Sequence, residues 1–435
     1  MSVPVAVQLW GRVIGAIVVP EGDEVAAFQY DPDFARSGIQ VAPFMMPLSD
    51  AVYRFPGLSR QSFHGLPGML ADVLPDKFGN AVIDAWLARQ HRTAASFGAL
   101  DRLCYIGRRG MGALTFEPAT GPIDAQSDVA LNINALRQLA AEVLQKRAGF
   151  AANSADAPED ALRDILRVGT SAGGARAKAL VAWNAETGEL RSGQLDCQPG
   201  FRQWLLKFDG VARNADKELD DPQGYGAVEY AYHHMAMAAG VTMSRCRLFE
   251  EGGRRHFMTQ RFDRRADGAR LHMQSLGALA HLDFNQARAH GYEQALLIMR
   301  QLGLPKAQIE QQFRRMVFNV VARNQDDHVK NIAFLMDKTG RWSLAPAFDV
   351  TWAYNQQGSW THRHQMTING KSDDLSFADF EAVGALAALR RGRPRAILNE
   401  VVDAVRTWPT IAAEIGVDSA WRTQIAASHR LDWAS

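Results

Sequence analysis

One stretch in the last third of the chain restricts the possible folds more than any other. Ile309, Phe313, Met316, Val317, Val320 and Val321 recur at helical spacing, so one face of that segment must pack on a core. The stripe runs straight into a polar string, Arg323-Asn324-Gln325-Asp326-Asp327-His328-Val329-Lys330-Asn331. An apolar strand, Ile332–Met336, comes next, then a turn at Asp337-Lys338-Thr339-Gly340 and a short return over Trp342-Ser343-Leu344. Ala347-Phe348-Asp349 follows at once. The expected order is therefore buried helix, polar loop, β-hairpin, aspartate.

The middle of the chain is equally ordered. Arg167–Arg176 is glycine-rich and leads into a strand-like run, Lys178–Trp183, with a turn at Glu186-Thr187-Gly188. A second strand is expected over Trp204–Phe208. A helix follows, with Val228, Ala231, Tyr232, Met235, Ala238 and Ala239 on one face and Gly240 as its C-terminal cap. Arg245–Glu250, Gly252-Gly253 and Arg255–Gln260 read as a hairpin. Toward the N-terminus, Val5–Trp10, Val13–Val19 and Val25–Tyr30 read as a β-meander. Leu66, Met69, Leu70, Val73 and Leu74 make a helical face ended by Pro75.

Composition narrows the class. The chain has 435 residues, 47% hydrophobic and 22% charged, which excludes disorder, collagen-like repeats and coiled coil. At about 150 residues per domain the length suits three pieces, expected at 1–150, 151–265 and 266–435. Lys+Arg number 48 and Asp+Glu 47, so binding to nucleic acid by bulk charge is not expected. Three scattered cysteines, Cys104, Cys197 and Cys246, suggest no disulfide framework and a cytoplasmic location. Val13–Val19 is far too short to span a bilayer, and Met1-Ser2-Val3-Pro4 does not open a signal peptide, so no membrane association is expected.

Phosphoryl transfer from a nucleotide needs backbone N–H groups over the phosphates, a lysine, a carboxylate near the acceptor hydroxyl and oxygen ligands for Mg²⁺. The protein-kinase solution orders these as a glycine loop, a strand lysine, a helix glutamate, D-x-x-x-x-N and a later metal aspartate. Here Gly173-Gly174, Lys207, Glu229, Asp326 with Asn331, and Asp349 stand in that order. Each alone has a plainer reading. Gly173-Gly174 could be a simple turn, Lys207 and Glu229 solvated residues, and Asp326-Asp327 a solvated helix end. Ala175 stands where a Walker A lysine belongs, which excludes that loop. Gly107–Gly112 reads as turn structure, and His362-Arg363-His364 as a surface loop.

Asp326–Asn331 followed by Pro346-Ala347-Phe348-Asp349 resembles the catalytic signature of HipA-type serine/threonine kinases, the toxin halves of bacterial HipBA toxin–antitoxin modules. The likeness extends to Thr170–Lys178, Gln260–Arg264, Leu70–Asp76, Ile106–Leu114 and Met366–Lys371, and so over nearly the whole chain. It implies an α+β, protein-kinase-like, two-lobed fold with an N-terminal β-rich subdomain and a mostly helical C-terminal lobe. It implies ATP and Mg²⁺ as cofactors, with Asp326 as the base and Asn331 and Asp349 on the metal. Lys207 would hold the ATP phosphates, supported by Glu229. Gly173, Gly174, Ala175, Arg176, Ala177 and Lys178 would form the phosphate loop. Gln260, Arg261 and Phe262 would form the hinge beside adenine. His328, Val329 and Lys330 with Asn331, and Phe348 with Asp349, would complete the nucleotide site. Ser171, or else Thr170, would be autophosphorylated, expelling the loop. Expected partners are a HipB-like helix-turn-helix antitoxin, operator DNA through that complex, and a protein substrate such as an aminoacyl-tRNA synthetase, although no residue singles one out.

The chain departs from the family pattern in two places. Asp327 stands where a glycine is common, and Gln260 replaces an acidic hinge residue. Two other readings stay open. A small-molecule kinase of the aminoglycoside-phosphotransferase kind would carry an H-G-D loop, where this chain has Asn324-Gln325-Asp326. A non-catalytic corepressor would use basic residues such as Arg390-Arg391-Gly392-Arg393-Pro394-Arg395, which read equally well as a solvated helix end.

Overall fold

The computed structural model describes residues 3–121, 131–146, 165–166, 168–169, 176–193, 198–211 and 223–433. Its strands form three antiparallel sheets. The first holds β1 (Val5–Leu9), β2 (Arg12–Val18), β3 (Ala27–Tyr30), β4 (Val52–Tyr53) and β5 (Leu114–Glu117), in the order β4-β3-β2-β1-β5. The expected meander is present. Val5, Val7 and Leu9 turn inward on alternate positions of β1, as the two-residue period requires. β5 arrives from far along the chain and pairs Phe116 with Val7.

Between β4 and β5 the apolar run ends at Pro75 as expected, but its helix α1 covers only Gly68–Ala71. The longer helix is α2 (Lys77–Arg89), whose N-cap Asp76 accepts from the Gly79 N–H at 2.8 Å. Phe78 and Val82 of α2 share a buried cluster with Ala179, Val181 and Leu206, so α2 packs on the second sheet.

That second sheet comprises β6 (Lys178–Asn184), β7 (Leu190–Ser192), β8 (Phe201–Lys207), β9 (Cys246–Glu251) and β10 (Arg254–Gln260), ordered β7-β6-β8-β10-β9. Helix α3 (Tyr225–Ala238) crosses between β8 and β9 in sequence and packs on β9 and β10. Gly240 at φ 76° terminates it as a residue without a Cβ can. The remaining chain is mainly helical. It includes α4 (Tyr292–Gln301), α5 (Lys306–Val321), α6 (Phe377–Leu386) and α7 (Arg393–Arg406). Ile309, Phe313, Met316, Val317, Val320 and Val321 of α5 are all buried. The expected hairpin forms as β12 (Ala333–Met336) and β13 (Trp342–Leu344), and it gains β11 (His272–Ser275) to make the order β11-β12-β13. The result is an α+β arrangement of antiparallel sheets and a mainly helical C-terminal part.

Specific polar contacts join the N-terminal part to the rest. Asp72 accepts from the Ser275 backbone N–H at 2.7 Å and from its hydroxyl at 2.8 Å. The Gly112 N–H donates to Asp263 at 2.7 Å. No described helix is long and apolar enough to cross a membrane.

Candidate active site

β6 and β8 pair so that Lys178 lies opposite Lys207. Two cations opposite each other on one sheet repel unless each has its own carboxylate. Lys207 Nζ lies 2.6 Å from Glu229 on α3 and also contacts Asp349. Lys178 Nζ lies 3.1 Å from Asp76. Arg176 donates to the other Glu229 oxygen at 2.9 Å, and its guanidinium sits 4.6 Å over the Tyr225 ring. Three cations thus interleave with three carboxylates. Lys207 and Glu229, plainly read as solvated residues, are instead 5% and 1% exposed.

The electrostatics follow the geometry. Burial pushes the Asp349 carboxyl up, but the Lys207 ammonium, with Lys178 and Arg176 behind it, outweighs this and holds it well below the usual carboxylate range. Burial likewise works against the Lys207 charge, and Asp349 and Glu229 overcome it, so its ammonium is raised. The Asp76–Lys178 pair behaves oppositely. Burial dominates both members, raising Asp76 and lowering Lys178. Asp349 itself sits at φ 54°, in the left-handed region, at the end of the segment leaving the β12–β13 hairpin.

The polar string after α5 supplies the second half of the site. Asn331 Nδ2 donates to the Asp326 carbonyl at 2.8 Å, which closes the loop between them. The Gln325 N–H donates to Ala353 O at 3.0 Å and the Ala353 N–H to Arg323 O at 3.1 Å. The loop carrying Asp326 is thereby bound to the segment just past Asp349. Val329 is buried. The rings of His328 and Phe284 are 5.8 Å apart, and Lys330 Nζ lies 4.9 Å over the same Phe284.

Asp327, next to the expected base Asp326, spends its carboxylate on other partners. It is 3% exposed and accepts from Tyr292 at 2.8 Å, His364 Nδ1 at 2.9 Å and the Gln365 N–H at 2.8 Å. Burial raises this carboxyl, and those donors, His364 foremost, bring it below its ordinary value. His364 is therefore no surface-loop residue. It is fully enclosed, because it answers the buried Asp327.

Gln260, Arg261 and Phe262, expected to form the hinge, lie at and just past the end of β10. The Gln260 N–H donates to Arg245 O at 2.8 Å and the Arg261 N–H to Gln203 O at 2.9 Å, so both are spent inside the sheet. Phe262 carries the next backbone donor, with its ring 5.5 Å from Phe348. The Arg261 side chain is buried against Asp263 at 2.7 Å and Gly110 O at 3.3 Å. Arg264 donates to Asp263 at 2.7 Å and to Gly112 O at 2.8 Å. Gly107–Gly112 is indeed a turn, and it is also the socket for these two arginines.

Ala177 is buried and its carbonyl accepts from the Phe208 N–H at 3.0 Å. Thr170, Ser171, Gly173, Gly174 and Ala175 lie outside the described residues. In the basic cluster, Arg393 pairs with Glu310 and Glu400, each at 2.7 Å, and the Arg395 guanidinium lies 3.4 Å over Phe377. Arg390 and Arg391 are exposed.

The family model for the HipA-like C-terminal domain matches residues 170–408, and that for the HipA N-terminal domain matches residues 5–117. The chain belongs to the HipA family. Among solved structures, it is similar to the Shewanella oneidensis MR-1 HipA in a complex with HipB and its operator DNA. That HipA is 17% identical, with a TM-score of 0.64 over 97% of this chain and 96% of that one, a likeness of fold. A Helicobacter pylori proinflammatory kinase, CtkA, matches at 12% identity and a TM-score of 0.34 over 52% of this chain and 88% of its own. No curated protein matches the chain.

Two contacts of this HipA-family site have no counterpart in the sequence reading. Asp76 falls in a quoted motif, but nothing local links it to Lys178, 102 positions away (178 minus 76). Trp360 Nε1 donates to Asp326 Oδ1 at 2.8 Å, and no spacing rule points to that tryptophan.

Proposed function

We propose that the chain is an ATP-dependent serine/threonine protein kinase acting as the toxin of a type II toxin–antitoxin module. The observation that carries this is Lys207, held between Glu229 on α3 and Asp349 after the hairpin. A buried ammonium fixed by two carboxylates from different elements is poised to meet nucleotide phosphates.

The residues present fit Mg·ATP. Asn331 spends its amide N–H on the Asp326 carbonyl, so its amide oxygen is the atom that would serve as a ligand. Asp349 uses one oxygen on Lys207 and keeps the other. Both are the hard oxygen donors that Mg²⁺ prefers. When bound, the ion would neutralise charge on the transferring phosphoryl group. Lys207, Lys178 and Arg176 would supply positive charge to the phosphates. Phe262 and Phe348 would flank the base, with the Phe262 N–H as the hinge donor and Gln260 and Arg261 offering carbonyls. His328, Val329 and Lys330 would line the nucleotide side of the catalytic loop, and Gly173–Ala175 would cover the phosphates. Asp326 would accept the proton of the acceptor serine or threonine as its oxygen attacks the γ-phosphorus.

Ser171 would be the autophosphorylation site, where a phosphate of about −1.5 to −2 charges would be repelled by ATP. Mass spectrometry after incubation with Mg·ATP should map phosphate to Ser171 or Thr170. The protein partner would be a helix-turn-helix antitoxin, with operator DNA engaged through it, a reading supported by the fold shared with the Shewanella HipA, which stands in a complex with HipB and operator DNA. The substrate would be a cytosolic protein of the aminoacyl-tRNA synthetase kind. The division into 1–150, 151–265 and 266–435 belongs to the same proposal.

The test is Asp326→Asn. Purified wild-type protein should transfer phosphate from Mg·ATP to protein, and Asp326→Asn should not, with unchanged circular dichroism. Undiminished transfer by Asp326→Asn removes the assignment.

A further inference from the structure

The segment Trp360–Gln365 is strapped to the catalytic loop at two adjacent aspartates. Asp327 takes one end, through His364 Nδ1 at 2.9 Å and the Gln365 N–H at 2.8 Å. Asp326 takes the other, through Trp360 Nε1 at 2.8 Å. Gln365 closes the strap on itself, its amide donating to the carbonyls of Trp360 and Arg363. Thr361, His364 and Gln365 are buried, while Arg363 between them is exposed. The strap is therefore not a mobile surface excursion. Its shape is set by a buried carboxylate that cannot leave without stranding three donors.

We propose that Trp360 is the positioning residue for the base Asp326, and that Asp327 acts only by holding the strap that presents the indole. This rests on the kinase reading of the site. A carboxylate on an open loop samples several side-chain torsions, and only some of them direct an oxygen at an acceptor hydroxyl. An indole N–H is donor only, so it can bond the carboxylate but cannot compete for the substrate proton. Its bond occupies Oδ1 and leaves Oδ2 as the atom that takes the hydroxyl proton. Asn331 sets the backbone of the same residue through the Asp326 carbonyl. Main chain and side chain of the base are thus oriented by separate partners. A residue without a carboxylate at position 327 could not anchor such a strap, so Asp327 and the tryptophan form one device in this chain.

The role predicts which kinetic constant moves. Trp360 acts through Asp326, which is assigned to the acceptor hydroxyl and not to the phosphates, so the loss should fall on turnover and not on ATP. Trp360→Phe keeps an aromatic ring in place and removes the N–H donor with the five-membered half of the indole. With the full chain, Mg·[γ-³²P]ATP and casein as acceptor, counting label on casein and on the chain itself, kcat should fall roughly tenfold with the KM for ATP unchanged. Arg363→Ala, in the same strap but pointing to solvent, should match wild type. Wild-type turnover in Trp360→Phe, or a loss confined to the KM for ATP, overturns the positioning role while leaving the kinase reading intact. Wild-type protein that labels neither casein nor itself overturns the kinase reading, and this inference falls with it.

Discussion

Asp76→Asn is the substitution whose cost the structure sets most directly. Asp76 does two jobs with one carboxylate: one oxygen caps α2 through the Gly79 N–H at 2.8 Å, and the other lies 3.1 Å from Lys178 Nζ. Asparagine keeps an oxygen for the cap and loses the charge. Lys178 is then a buried cation, its side chain 3% exposed, that has lost the carboxylate 3.1 Å from its Nζ. Breaking a buried pair from one side costs about 3–5 kcal/mol. Lys178 can limit that loss by releasing its proton, since burial already lowers its ammonium, so the lower end applies as pH rises. With an unfolding entropy of about 2.1 cal/mol/K per residue, the 435-residue chain loses about 3–5 °C of Tm if it melts as one unit. The assay is thermal unfolding without nucleotide at pH 7 and pH 9. The double variant Asp76→Asn/Lys178→Met should recover most of the loss, because replacing both charges removes the desolvation cost as well. A single variant as stable as wild type, or a double variant no better than the single one, refutes the reasoning.

Lys207→Ala should raise the KM for ATP by on the order of tenfold to a hundredfold, the value of a charged hydrogen bond of about 1.5–3 kcal/mol, read in steady-state kinetics. It should also leave Asp349 without the ammonium that holds its carboxyl down. Asp327→Ala strands Tyr292, His364 and the Gln365 N–H, and should lower stability by about 2–4 kcal/mol in chemical denaturation and weaken turnover through the strap. The pH behaviour of the joint between Arg261–Arg264 and Gly110–Gly112 follows from Asp263. Burial raises this carboxyl, but Arg261 and Arg264 hold it far below its ordinary 3.8, so its stabilisation is present above about pH 4 and is lost as pH falls toward the folded value. Asp263→Asn should melt lower than wild type at pH 7, and its Tm should fall less steeply below pH 4.

Local pattern already determined much of this molecule. The 3.6-residue stripe from Ile309 to Val321 can only be a half-buried helix, and the β12–β13 hairpin is written in an apolar run, an Asp-Lys-Thr-Gly turn and a return. The same holds for the meander, for α3 and for the order of Lys207, Glu229, Asp326, Asn331 and Asp349, because each signal lies within a few residues of the element it describes. The tertiary structure decided the rest. No rule of spacing pairs β5 with β1, adds β11 to the hairpin, or brings Asp76 to Lys178 and Trp360 to Asp326. His364 and Arg261 read as loop and hinge residues, and their burial came from distant partners, Asp327 and Gly110. Periodicity records which face of an element must leave water. A buried charge has to find an opposite charge or a donor wherever the packed chain happens to place one, and that search runs through space, not along the sequence.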